Sequence, residues 1–452
     1  MLTNKTSVLL CLSLLLCGCS AVPNPEHKPG FAVPPIWQAN KTVNHKIATQ
    51  WLAEFSDTQL SNLVNEALAH NYDLKAAATR INVAREQAKI EGAARLPQLD
   101  LLPRYHGERD SLNRATTGFS ALFNMSWELD VWGRIRDGQQ AAGQEASAVA
   151  DDYQAARLSL AARTAQCYFE LIEANLQVDV AEQSIKDRRV IADLVRGRFT
   201  HGLTGGLDLR LVLTDLANAE AQLATSRNQV QLITRHLEGL LGRYPSGELK
   251  QQSKLPAPPA IIAAGLPSEL LTRRPDTIAA FNRILAADSR LSSAQKALLP
   301  RIALTADGGM SSTALTELID PRAVAWNVAM GLVQPIFTGG RLDATIRLNE
   351  AKTEETLNQY QSTALTAFRE VEQALAAEQW LHAQEHALQE AVEQTEASRK
   401  LAVYSYGQGL IQILTLLDSY RSTYTAQSEH LTVQRQLINN RIELYLALGG
   451  GV

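Results

Sequence analysis

The chain has 452 residues with Lys+Arg 43 against Asp+Glu 47, a net charge of −4. That near balance gives no electrostatic footprint for a nucleic-acid partner. Aromatic residues make up only 6%, while Ala, Leu, Gln and Glu are abundant, which points to long helices rather than one large aromatic-rich core.

The first twenty residues, MLTNKTSVLLCLSLLLCGCS, read as an export signal over residues 1–18, with Lys5 as its basic start and Val8 to Leu16 as its apolar run. That run is too short to span a bilayer. It closes on Leu16 to Cys19, where a small residue directly precedes Cys19. This ending resembles a bacterial lipobox, which implies cleavage before Cys19 and lipid attachment to its thiol; Ser20, not an aspartate, then directs the product to the outer membrane. Several acyl chains anchor firmly where one does not. Cys11 and Cys17 leave with the signal and Cys19 carries lipid, so Cys167 has no disulfide partner. Residues 19–50 form an arm whose Pro23, Pro25, Pro29, Pro34 and Pro35 suit an extended strap.

An internal repeat organises the rest. Leu96-Pro97 recurs as Leu299-Pro300, Met125 matches Met330, and Gly133-Arg134 recurs as Gly340-Arg341. Gly202-Leu203 recurs as Gly409-Leu410 and Leu241-Gly242 as Leu448-Gly449. The offset grows only between Pro97 and Arg134, in steps of two, which keep each strand residue on its face. The first repeat spans 51–243: helices, a β-hairpin over about 99–131, a long helix over about 134–198 and a return helix over 207–241. A Pro-rich linker covers 244–267. The second repeat spans 268–452, with a hairpin over about 302–337, a long helix over about 341–406 and a return helix over 410–448. Neither Gly nor Pro occurs from Gln144 to Arg196 or from Arg341 to Tyr406. Helices of about 65 residues reach roughly 100 Å.

The hairpin strands alternate. Phe119, Ala121, Phe123, Met125, Trp127, Leu129 and Val131 share one face; Val324, Trp326, Val328, Met330, Leu332 and Ile336 repeat the pattern. Apolar outside and polar inside is the pattern of a transmembrane barrel strand. Two hairpins supply four strands, fewer than the eight or so a barrel needs. Open strand edges are not tolerated in lipid. A membrane-spanning sheet would therefore need several copies, and three would give twelve strands.

Catalytic signals are weak. His382, Glu385 and His386 match H-x-x-E-H, but the match lies inside a polar, unbroken helical stretch and reads as a solvated face. Gly202 to Arg210, GLTGGLDLR, lacks the Lys-Ser/Thr of a phosphate loop and reads as a tight turn between antiparallel helices. No cofactor is expected beyond the lipid on Cys19, and no catalytic or metal site.

Four phrases carry a family resemblance: Trp51–Leu74 (WLAEFSDTQLSNLVNEALAHNYDL), Ser126–Arg136 (SWELDVWGRIR), Leu266–Asp276 (LPSELLTRRPD) and Gln334–Leu342 (QPIFTGGRL). They resemble the TolC-like outer membrane efflux proteins, in the lipoprotein branch typified by OprM. The resemblance implies a mostly α fold with a small β part. It implies a homotrimer in which a twelve-stranded β-barrel continues into a twelve-helix α-barrel. It further implies an exit duct of a tripartite pump, meeting a periplasmic adaptor and an inner-membrane pump, in the RND class, and exporting small molecules such as drugs or toxic compounds. The turns would be the tunnel's periplasmic tip, with Gly202, Leu203, Thr204, Gly409, Leu410 and Ile411 as adaptor contacts. The family often has LDVLDA after the second turn. Here Leu414 to Tyr420 reads LTLLDSY, so Asp418 remains, while Thr415 replaces the first acid and Asp208 stands at the matching place in the first repeat. Asp208 and Asp418 are expected to form a mixed acidic ring at the pore, with Arg421 closing it by a salt bridge. A protein-secretion duct of the same fold and a structural envelope lipoprotein without a pore are the alternatives.

Overall fold

The computed structural model describes residues 30–39, 51–109, 115–249, 254–259, 264–318 and 320–451. The signal 1–18, Cys19, most of the arm and the tip of the first hairpin lie outside them. The chain divides into two units, Met1–Ala32 and Val33–Val452. Only residues 30–32 of the first are described, and everything below belongs to the second.

Its first repeat comprises α1 (Trp51–Glu54), α2 (Thr58–His70), α3 (Tyr72–Ala93), β1 (Gln98–Arg109), β2 (Ala115–Leu129), α4 (Arg134–Thr200) and α5 (Gly206–Leu240). The second comprises α6 (Pro267–Arg273), α7 (Pro275–Lys296), β3 (Arg301–Ser312), β4 (Val324–Val333), α8 (Arg341–Gly407) and α9 (Ile413–Ala447). The chain is thus mostly helical with one small antiparallel sheet. Corresponding helices match in length: α3 and α7 have 22 residues each, α4 and α8 have 67, α5 and α9 have 35. At 1.5 Å per residue the long pair runs roughly 100 Å. No described helix is long and apolar enough to cross a membrane.

Two boundaries differ from the sequence expectation. The last return helix starts at Ile413, not at 410, because Gly409 to Gln412 form the turn. Strand β4 stops at Val333, short of 337, and Pro335, which has no N–H for a ladder, follows two residues later.

The sheet order is β1-β2-β3-β4. In the first hairpin Gln98 pairs with Ser126 and Leu101 with Phe123; in the second Arg301 pairs with Val333 and Leu304 with Met330. Met330 therefore stands at the level of Phe123, two residues from the expected match with Met125. The whole four-residue growth of the repeat lies in the β3–β4 connection, which holds two short 3-10 turns, Leu315–Glu317 and Pro321–Ala323. Because the slip is even, the faces are preserved. One face carries Leu101, Phe123, Gly308 and Trp326 in a row, the other Asp100, Asn124, Asp307 and Asn327. Asn124 Nδ2 donates to Asp307 Oδ1 across the β2–β3 seam. The apolar face is open: Trp326 is 80% exposed and Met330 74%.

The strand-to-helix bends use left-handed glycines, Gly133 at φ 76° and Gly340 at φ 79°. Only the first bend has a side-chain cap. Asp130 accepts from the Ile135 and Arg136 N–H groups at 2.9 and 2.7 Å.

The core sits midway along the helices. Trp51 stacks on Tyr445 at 5.8 Å, Phe55 packs on Phe169, and Tyr168 donates to Asp57, which also caps α2 through the Leu60 N–H. Arm residue Trp37 is buried there. Its indole N–H donates to Gly265 O at 3.0 Å, and Glu372 of α8 accepts from the Gln38 and Ala39 N–H groups.

Candidate functional site

The two turns between long and return helices have the same backbone. Gly202 at φ 72° donates to Phe199 O and Leu203 to Arg198 O, at 3.0 and 2.9 Å. Gly409 at φ 73° donates to Tyr406 O and Leu410 to Ser405 O, at 3.0 and 2.9 Å. This paired 5→2 and 6→1 bonding ends a helix at a residue that only glycine adopts without strain. It throws the next side chain outward, so Leu203 and Leu410 are 67% and 73% exposed. Of the other expected contacts, Thr204 is half-buried and donates to Asp208 Oδ2, while Ile411 packs on the apolar cluster beneath the turns.

That cluster locks the four helix ends together. Ile191, Ala192 and Val195 of α4, Val212 of α5, Tyr406 of α8 and Ile413, Leu416, Leu417 and Tyr420 of α9 are all buried in it. Burial pushes the Tyr406 and Tyr420 hydroxyls up, so both stay neutral.

The expected gate residues do not meet within one chain. Asp208 lies in the first turn of α5, held by Thr204. Asp418 is exposed on α9, and among the described residues no hydrogen bond or ion pair joins the two. Arg421 has a partner that the sequence reading missed. Its Nε lies 2.9 Å from Asp215 Oδ1 on α5, and Arg188 Nε of α4 lies 2.7 Å from Asp215 Oδ2. The Asp215 side chain is 3% exposed and that of Arg188 8%. At the same level Arg399 of α8 reaches Asp187 of α4, the neighbour of Arg188, at 2.5 Å and lies over the ring of Tyr420, the neighbour of Arg421. Four helices are thus tied at one level by charge. The signal was legible: Arg188 interrupts the buried stripe Ile185, Ile191, Ala192, Val195, and Asp215 interrupts Val212, Ala219. A charge inside an apolar stripe on each arm of an antiparallel pair asks for its opposite at the same depth.

The H-x-x-E-H residues are engaged separately. His382 lies 3.1 Å from Glu378, and Glu385 lies 3.1 Å from His430 of α9.

The family model for "Outer membrane efflux protein" matches residues 63–243 and 266–450, one segment per repeat. The chain is 33% identical to the pyoverdine export outer membrane protein OpmQ of Pseudomonas putida, over 98% of this chain and 97% of that protein. It is 30% identical to the cation efflux system protein CusC of Escherichia coli, over 98% and 97%. Among solved structures, a membrane protein from Pseudomonas aeruginosa superposes with a TM-score of 0.88 at 31% identity, covering 96% of this chain and 98% of that one. A crystal structure of CusC gives 0.87 at 27% identity, covering 96% and 100%.

Proposed function

The chain belongs to the outer membrane efflux protein family, and from that premise we propose that it works as a gated, homotrimeric exit duct. Its place is the outer membrane, as the channel component of an efflux pump. The observation that carries the finer reading is the sheet: four strands, one face apolar and exposed, both edges open, set on helices of roughly 100 Å. Lipid accepts such a sheet only when closed, and three copies supply twelve strands, an even number within the range such barrels use. The long helices of three copies then form a twelve-helix tunnel. Lipid on Cys19 anchors the arm, no other cofactor takes part, and the work is gating rather than catalysis.

The turns form the tip. Leu203 and Leu410, flanked by Gly202, Thr204, Gly409 and Ile411, are the knobs an adaptor grips, and an inner-membrane pump of the RND type feeds the duct from beyond it. The names of OpmQ and CusC speak of pyoverdine and cations. The duct proposed here is permissive, with small-molecule cargo chosen by the pump. Closure rests on the belt at Asp187, Arg188, Asp215, Arg399 and Arg421, which holds the return helices against the long ones. Asp418 and Asp208 add acidic charge at the mouth, favouring cations.

Planar-bilayer recording of the purified protein tests this. The expected result is an assembly with the mass of three chains and a small conductance, which Arg421→Ala enlarges several-fold by freeing α9 from Asp215. Asp418→Ala should lower cation selectivity. A single-chain mass, or no conductance in either protein, overturns the duct; unchanged selectivity in Asp418→Ala overturns its place at the mouth.

A further inference from the structure

The repeat builds one groove twice, and the two differ in charge. The first is a cleft of about 220 Å³ beside the belt, walled by Arg188 of α4, by Asp215 and Gln222 of α5, and by Arg421 and Tyr424 of α9. Its counterpart in the second repeat lies between α8 and α9, where Ser422 takes the place of Asp215 and Glu429 that of Gln222. The second groove sets Arg421 against Glu429 and balances. The first sets two arginines against a single carboxylate, an excess of one positive charge. Arg188 is engaged there: its Nε donates to Asp215 Oδ2 at 2.7 Å and its Nη1 to Ser184 Oγ. Arg421 is engaged only through Nε, which donates to Asp215 Oδ1 at 2.9 Å. Among the described residues its Nη1 and Nη2 have no partner, and Asp418, on the preceding turn of α9, forms no ion pair with it.

A guanidinium with free N–H groups is a planar fork that fits a carboxylate. Beside it the Tyr424 ring, Ala181 and Ala219 supply an apolar wall, and Gln222 hydrogen-bonds the Tyr424 hydroxyl. An apolar cavity of about 150 Å³ accepts benzene, so the cleft has room for one ring. We propose that it binds a small aromatic carboxylate, the anion on Arg421 and the ring against Tyr424, Ala181 and Ala219, and that the bound ligand holds the duct shut. One side of the cleft belongs to α4 and α5 and the other to α9, so it exists only while α9 lies against them. A ligand that binds one state alone shifts the equilibrium toward that state. This second half rests on the gating reading above, in which α9 leaves Asp215 on opening. The bound anion cancels the excess charge and leaves both Asp215 bridges in place.

Benzoate and benzamide are the probes, alike in ring and size and different in charge. Saturation-transfer NMR on the purified full-length protein reads binding, and planar bilayers at fixed ionic strength read conductance. Benzoate should bind about tenfold more tightly than benzamide, through its charge-assisted bonds to Arg421, and should lower the conductance where benzamide does not. Gln222 is exposed and outside the belt, so its variants test the cleft without touching the gate. Gln222→Glu gives the first groove the acid of the second and should weaken benzoate about tenfold, as a like charge at close range does. Gln222→Met, which adds no charge, should leave benzoate binding unchanged. Absent benzoate binding, equal binding of the two probes, or equal weakening by Glu and Met at this position overturns the site. Binding with the expected charge dependence but no fall in conductance keeps the site and overturns the gating reading. The described walls of the cleft come from one chain, so the binding arm reads the site even where a single-chain mass overturns the duct.

Discussion

Asp215 illustrates how one residue can hold a device together. It is buried, its two oxygens bind arginines from two different helices, and it has no counterpart in the second repeat, where Ser422 stands. Removing one partner of a buried ion pair costs about 3–5 kcal/mol, because the other charge is left uncompensated. Asp215→Ala should therefore lower the unfolding midpoint measurably, while Arg421→Ala, whose side chain is 58% exposed, should change stability little and act on opening instead. Thermal unfolding of both variants checks the contrast; equal losses would make the belt a plain structural clamp. The sequence singled out Arg421 as a candidate to close an acidic ring; its bond to Asp215 depends on which faces of α5 and α9 turn together. The phrase LTRRPD, Leu271 to Asp276, has a similar explanation. Arg274 binds Asp276 at 2.8 Å, Glu370 of α8 at 2.6 Å and Ala447 O of α9 at 3.3 Å. In the first repeat Asn71 takes that place and donates to Leu240 O at 3.0 Å. The repeated Leu-Gly doublets belong to the same joint. A Cβ on Gly242 would lie 2.7 Å from His70 O, and one on Gly449 3.1 Å from Arg274 Cα. The doublets are visible in the sequence; the backbone they must clear is 170 residues or more away, and so is not.

At the scale of elements, the helices were the most legible part. A stretch free of Gly and Pro, bracketed by left-handed glycines, marks α8 almost unaided, while α4 runs through Gly138, Gly143 and Gly197 and takes its ends from the repeat, at Gly133 and Gly202. The strands were legible in face but not in level, since a two-residue slip leaves the alternation unchanged. The two bends differ as their sequences do. Asp130 caps α4 with two accepted N–H bonds, and the second bend has Pro335 and the exposed Ile336 and Phe337 with no side-chain cap. Loss of an N-cap costs about 0.5–2 kcal/mol. Asp130→Ala should thus fray the first turn of α4, seen as faster amide exchange at Ile135 and Arg136, while the equally placed Phe337→Ala leaves α8 unchanged. Equal exchange in both variants would remove the cap from the account. Cys167, buried on α4 with its thiol pushed up to about 12 by burial and then by Glu170, is an inert packing residue.

At the scale of the whole molecule, the orientation of the sheet decides which substitutions membranes reject. A Lys on the lipid face near the bilayer midplane costs about 2–4 kcal/mol, and one on the lumen face much less. Val328→Lys should sharply reduce the membrane-inserted, gel-stable oligomer, while Asn327→Lys, one residue away on the opposite face, should retain it. The reverse ranking would turn the sheet inside out. The seams of such an assembly would not all be alike. Within a chain α4 is tied to α7 by Asp152–Arg283, Glu145–Arg290 and Asp137–Lys296. The repeat replaces those partners on α8 and α3 with Gln359 and Arg80, Lys352 and Gln87, and Ala344 and Ala93. Seams between copies would therefore lack the ionic ladder that each copy carries inside.

The equal lengths of α4 and α8, and of α5 and α9, have a last consequence, one of counting. They set both turns of a chain at one depth with one backbone, yet Thr204 follows Leu203 where Ile411 follows Leu410. Three copies would offer a partner six like knobs whose neighbours alternate polar, apolar, polar, apolar around the rim. A partner that grips the leucine alone would bind at a ratio of two per chain. One that also reads the next residue would bind at one per chain, so the stoichiometry of the complex tells how much of the turn its partner reads.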